Sequence, residues 1–244
     1  MADNASVIKD ISLVKMLCKR NMDEDTFAKC SEKLTNAASV LRGNKPMTKI
    51  KRYRSVEVES GRFEVGDEIA FELLGTEDDT SVEPVEALCV LTENDEATFV
   101  LVDCLRGEYP MNEEGGTKGG YANCDLRKVL NEDILISFPE EIVDLMTPFE
   151  NGDLLIIPNE MEIFGEHTYG DGKEDFAGAK QWEPMKLRRN RIAFSGKNGD
   201  PQWYWLRDPA SAAGFALVYG NGYCFYHYAS YSFGVRPAFK IMNP

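Results

Sequence analysis

The chain has 244 residues, 43% hydrophobic and 11% aromatic, enough for one large domain or one domain with an appendage. A formal net charge of −14 at pH 7 excludes a general binder of nucleic-acid backbone, which needs a basic face. No stretch approaches the ~20 apolar residues of a membrane span, and MADNASVIKD lacks the basic-then-apolar order of a secretory signal, so we expect cytoplasmic synthesis and leave the final location open.

Residues 1–45 read as helical. Val7, Ile11, Val14 and Cys18 recur at helical spacing, and Phe27, Cys30, Leu34, Ala37 and Leu41 form a second apolar stripe that Gly43 and Pro46 end. This segment is an αα-hairpin packed on the main domain, or an oligomerisation or attachment element. From Met47 the pattern turns strand-like and the second unit, 46–244, begins. Residues 56–59 alternate, 63–65 precede a Gly66-Asp67 turn, and 69–74 form a strand. Residues 86–91 and 98–105 make a hairpin around Glu93-Asn94-Asp95.

The glycine loop at 115–120 is not a phosphate cradle, because no Gly-Lys-Ser/Thr follows it. Residues 125–131 and 139–146 are short helices, the second opened by Pro139 with Glu140 and Glu141 at its positive end. A buried strand at 154–157 leads to a short helix at 159–164 and a Gly/Asp-rich loop at 166–180. Strands at 192–194 and 203–206 follow, and one at 235–241 closes the chain. Short mixed strands with small helices predict an α+β fold.

Residues 219–233 (YGNGYCFYHYASYSF) hold half of the ten tyrosines and one of the two histidines. Tyrosine offers large contact area with two torsions to freeze, and Ser, Gly and Asn adapt their hydrogen bonding, so the composition is that of a binding surface. The competing reading is a Tyr-rich strand pair in a core. We expect the side chains of Phe215, Leu217, Tyr219, Asn221, Tyr223, Phe225, Tyr226, His227, Tyr228 and Tyr231 to share one exposed ligand-binding face.

Between Asp208 and Phe239 there is no Lys, Glu, Gln, Met or Trp. These five types make up 53 of the 244 residues, so a stretch of 32 would hold about seven. Strands disfavour Lys and Glu, which accounts for part of the gap. The excluded set has a further meaning. Randomising the first two positions of an AAC or AAT codon yields every amino acid except these five, and no stop. Every residue from Ala210 to Phe233 belongs to the permitted set, as expected if the codons of about 210–233 vary in this way.

The six cysteines (Cys18, Cys30, Cys89, Cys104, Cys124, Cys224) form no CxxC, and neither histidine has a ligand partner at short spacing. No metal or other cofactor is expected, and the thiols read as reduced. The basic runs 49–54 (KIKRYR) and 186–191 (KLRRNR) are short and read as solvated charge.

The tail WYWLRDPASA…SFGVRPAFKI, with CDLRKVLNEDIL…FPEEI…LLIIPNEMEIFGE upstream, resembles an uncharacterised bacterial and phage domain family ending in a WLRxP…GVRPA pattern. The likeness covers residues 50–244. That family is similar to the C-type-lectin-like fold of the formylglycine-generating-enzyme superfamily, whose end motif corresponds here to Gly234, Val235 and Arg236. The aromatic window also resembles the variable region of diversity-generating-retroelement proteins, in which adenine-directed mutation rewrites surface residues on a fixed lectin scaffold. The resemblance implies a receptor-binding or display protein whose partner is a protein or cell-surface ligand. An undiversified phage structural protein, virion-associated through 1–45, is the alternative. In this scheme Trp203, Trp205, Phe239 and Ile241 are scaffold, and Arg207 and Arg236 tie loops to Asp208 or to backbone carbonyls.

The same resemblance raises an oxidase reading and weakens it. Formylglycine-generating enzymes use two nearby cysteines with copper, whereas here Cys224 has no neighbour nearer in sequence than Cys124. A calcium-dependent sugar site is not expected either. Glu183-Pro184 is followed by Met185, and no Trp-Asn-Asp occurs. The chain therefore reads as a binding protein and not an enzyme.

Overall fold

A computed structural model describes residues 62–74, 82–196 and 199–243, together with the backbone of 51–52. The helices expected within 1–45 and the strand expected at 56–59 lie outside the described residues. The fold is mixed, with more strand than helix, and its strand ladders are antiparallel.

The early strands are β1 (Lys51–Arg52), β2 (Glu68–Leu73), β3 (Glu83–Glu93) and β4 (Glu96–Leu101). On β2 the alternation is plain: Ile69, Phe71 and Leu73 are buried while Glu72 is exposed, as a pleated strand with one covered face requires. β3 and β4 join through Asn94 and Asp95, both with positive φ (51° and 60°), the two-residue turn whose twist matches the strands it connects.

The middle of the chain supplies β5 (Tyr109–Pro110), helix α1 (Asp125–Val129), helix α2 (Glu140–Val143), β6 (Met146–Thr147), helix α3 (Glu160–Phe164) and helix α4 (Arg188–Arg191). Residues 154–157 are buried as expected, but they form no extended strand. Ile156 makes a single bridge to Ala238. α3 begins with a reciprocal cap. The Asn159 side chain accepts from Glu162 N–H, and the Glu162 carboxylate accepts from Asn159 N–H, each at 2.9 Å. The strands that follow are β7 (Ala193–Phe194), β8 (Pro201–Gln202), β9 (Tyr204–Pro209), β10 (Gly214–Val218), β11 (Cys224–Tyr228), β12 (Ser232–Phe233) and β13 (Ala238–Met242).

The large sheet runs β1-β2-β3-β4-β13-β6, so the last strand inserts between β4 and β6. Phe239 on β13 consequently meets Phe99 (5.6 Å, stacked), Phe71 (6.1 Å) and Phe138 (5.7 Å), which ties the end of the chain to the core. A second sheet, β11-β10-β9, carries the aromatic window, and β12 pairs with β5 to anchor the end of that window.

Two buried arginines fasten the second sheet. Arg236 donates to Leu101 O (2.6 Å), Asn190 O (3.0 Å) and the Tyr204 hydroxyl (3.2 Å). Arg207 makes a two-pronged bond to Glu162 (2.7 and 2.8 Å) and donates to Ile157 O and Glu174 O. Backbone carbonyls were expected partners, but the carboxylate on Arg207 is Glu162 and not Asp208. Glu162 sits at the start of α3, where the cap already fixes its carboxylate. Trp205, Phe239 and Ile241 are buried scaffold as expected, whereas Trp203 is only partly buried, lying just before β9.

Candidate ligand-binding face

The window is built on two strands with opposite fates. β10 (GFALV) is the middle strand of its sheet, apolar and fully buried. β11 (CFYHY) is the edge strand, and among the described residues no strand pairs with its outer side. Phe215 and Leu217, expected on the exposed face, are therefore corrected to scaffold. They pair with His227 and Phe225 from the buried side of the ladder.

The remaining expected residues lie at the surface. Tyr223 is 55% exposed, Phe225 41%, Tyr226 42%, Tyr228 60% and Tyr231 53%. Asn221 is exposed, and Tyr219 and His227 are half-buried. The 219–223 turn is held locally. The Asn221 side chain accepts from Tyr223 N–H (3.2 Å) and Tyr219 N–H donates to Tyr223 O (2.8 Å). Gly222 (φ 81°) leaves no room for a side chain, since a Cβ there would lie 2.9 Å from Arg188 O.

These rings do not share one face, and strand alternation is the reason. On one side Tyr219 meets Trp203 (3.8 Å between ring centroids) and Phe225 (5.4 Å), and His227 meets Tyr231 (4.3 Å) and Phe233 (5.2 Å). Phe233 in turn stacks on Trp203 at 5.4 Å, which joins the two groups. On the other side Tyr226 packs on Tyr169 (4.9 Å). Rings also meet around the strand, Phe225 with Tyr226 (5.7 Å) and Tyr228 with Tyr231 (6.2 Å), so the aromatic surface wraps the edge. The Arg188 guanidinium lies 5.1 Å from the Tyr223 ring centroid. Tyr169, Trp203, Phe233 and Arg188 are participants that sequence reasoning left off the face. Only Trp203 and Phe233 carried a signal, the first as an aromatic upstream of the window and the second as its last residue.

Behind β11 lies a buried polar cluster. The Cys224 thiol, on the inner side of the strand, donates to Glu160 Oε1 at 2.9 Å. Glu160 is fully buried at the start of α3, and its carboxylate also accepts from the N–H groups of Thr168, Tyr169 and Gly170 (2.7–3.2 Å). Asp208, 1% exposed on β9, accepts from Glu160 N–H at 2.6 Å through Oδ2. His167 lies against Asp175 (Nε2 to Oδ2, 2.9 Å). Burial pushes the Asp208 carboxyl up to about 7, against the pull of the Glu160 N–H and Arg207. Burial works against a charged His167, but Asp175, Asp208 and Glu160 together raise its pKa above the usual value. Burial, then the bond to Glu160, raises the Cys224 thiol, so it keeps its proton. Burial likewise pushes Cys89, Cys104 and Cys124 up to about 12.

The fold and this surface define the class: an α+β domain presenting an aromatic edge strand over a buried acidic cluster. Residues 95–243 match DUF6273, a family of domains of unknown function, and the chain belongs to it. Comparison with curated proteins and with solved structures gives no match. Among the described residues no helix is long and apolar enough to cross a membrane.

Proposed function

We propose that this protein is a ligand-binding protein, a receptor-binding or display protein, whose aromatic edge strand recognises a protein on another surface. The carrying observation is the continuous run of exposed rings around β11. Monomeric proteins seldom leave such a contiguous patch unused, and aromatic anchors dominate protein recognition. The scaffold beneath is of the C-type-lectin-like kind, in keeping with the Gly234-Val235-Arg236 ending and the buried Arg236. A thiol that keeps its proton and bonds a carboxylate favours binding over thiolate oxidation at Cys224.

The face is diversified by a retroelement in this reading. Support comes from the residue types missing between Asp208 and Phe239, and burial sharpens which codons are involved. The positions Asn221, Tyr223, Phe225, Tyr226, Tyr228 and Tyr231 are exposed and are the ones expected to vary. Residues 214–218 are not, although their types are permitted, because they fill the core. A Cβ on Gly214 would lie 2.3 Å from His227 O, and one on Gly234 would lie 2.8 Å from Cys104 Sγ.

The binding test compares the labelled chain with the double variant Tyr223→Ser/Tyr228→Ser on bacterial cell surfaces, before and after protease treatment. Protease-sensitive binding by the wild type, reduced at least ~10-fold in the variant, is expected. Each substitution should leave the unfolding free energy within about ±0.5 kcal/mol, as for exposed side chains. Equal binding by the two proteins contradicts the proposal. Binding that survives protease and yields to glycosidase moves the ligand to a sugar.

A further inference from the structure

We infer that Glu160, His167 and Asp208 form a site for one divalent transition-metal cation of the zinc or manganese kind, directly behind β11. The residues come from the start of α3, the loop after it and β9, so chain spacing hides them. One donor atom from each lies within 4.8 Å of the others.

Three observations point to a cation there. First, Asp208 is 1% exposed, yet its Oδ1 has no hydrogen-bond partner and lies 3.6 Å from His167 Nδ1. A buried carboxylate oxygen left unpaired is costly. Second, His167 Nδ1 is also buried and unpaired, 3.8 Å from Glu160 Oε2. In the neutral ring, with Nε2–H donating to the Asp175 carboxylate, Nδ1 carries a lone pair beside the Glu160 and Asp208 carboxylates. Carboxylate–imidazole–metal order of this kind sets the tautomer and orientation of metal-binding histidines. Third, the separations suit an ion. A tetrahedral cation about 2.0–2.2 Å from each donor holds its donors about 3.3–3.6 Å apart; the 3.6 Å pair meets that span, the 3.8 Å pair must close slightly, and both are too long for direct hydrogen bonds.

The surroundings are built for it. The N–H groups of residues 168–170 and the Cys224 thiol fix the Glu160 carboxylate. Gly170 lets the loop pass, since a Cβ there would lie 2.8 Å from Asp208 Oδ1. One imidazole with two carboxylates suits zinc or manganese better than calcium, which prefers an all-oxygen shell. The ion would pin the loop that carries Tyr169 beneath Tyr226. This inference stands apart from the reading of the aromatic face.

The test is calorimetric titration of the untagged full chain, stripped with chelator, with zinc, manganese and calcium salts. His167→Ala and Asp208→Asn are titrated in parallel, and each melting curve is recorded with and without metal. The wild type should bind one more equivalent than His167→Ala, and metal should raise its melting temperature but not that of either variant. Any residual affinity of the variants should be at least ~10–100-fold weaker, the loss that even outer-shell changes cause. His167 is on a loop, so its variant keeps the test open if Asp208→Asn does not fold. Equal stoichiometry and equal melting shifts in wild type and His167→Ala, a response to calcium alone, or no binding at millimolar metal each overturn the inference.

Discussion

Replacing Trp205 by alanine is expected to lower the unfolding free energy by about 3–5 kcal/mol, the usual loss for a large buried aromatic. Trp205 is fully buried on β9, meets Phe233 edge-on at 5.0 Å, and donates its indole N–H to Tyr109 O at 2.8 Å. Truncation leaves a cavity, and it also leaves the Tyr109 carbonyl short of a donor, which adds to the loss. Because β5 and β12 pair through Tyr109 and Phe233, the end of the aromatic window should loosen as well. Urea denaturation should show a lower midpoint with an unchanged slope. A loss no larger than that at Tyr228 would show that the division between scaffold and surface is wrong.

Arg207→Ala should be as damaging, again about 3–5 kcal/mol, through electrostatics more than volume. Arg207 is 1% exposed and binds both oxygens of Glu162, and its guanidinium lies 4.7 Å from the Phe176 ring centroid. Removing it strands the Glu162 carboxylate in the interior, and that carboxylate caps α3. Arg207→Lys should recover only part of the loss, since an ammonium cannot make the two-pronged bond. A double-mutant cycle with Glu162→Gln isolates the pair. The double variant should be less destabilised than the sum of the singles, and simple additivity would mean the two groups do not act together.

Local patterns carried much of the fold. The hairpin turn around Asn94-Asp95, the short helix at 159–164 and the strand at 69–74 were all read from short-range features of the chain. The 154–157 segment was recognisable as buried but not as a non-strand, because an apolar run does not say whether a hydrogen-bonding neighbour exists for each residue. The same limit hid the split within the window. Phe215 is of the same type as Phe225 on the face, and the order β11-β10-β9 is what makes the strand of Phe215 and Leu217 the central one. Alternation along β11 then divides the remaining rings between two sides. The partner of Arg207 and the meeting of Glu160, His167 and Asp208 depend on contacts between distant elements, which neither periodicity nor spacing encodes. The surface tyrosines were legible for the opposite reason: their composition departs from what a core strand needs.

The central claim is that the window is a diversified binding face, and sequencing the DNA that flanks the gene tests it most directly. The account predicts a second, untranslated copy of the segment encoding this window, with a reverse-transcriptase gene nearby. The copy should match the gene at residues 214–218 and 234–238, which are buried. It should carry adenines, mostly within AAC or AAT triplets, where it differs at the codons of exposed residues such as Tyr223, Phe225, Tyr226, Tyr228 and Tyr231. Absence of any such copy, or a copy whose differences fall on the buried codons, would contradict it.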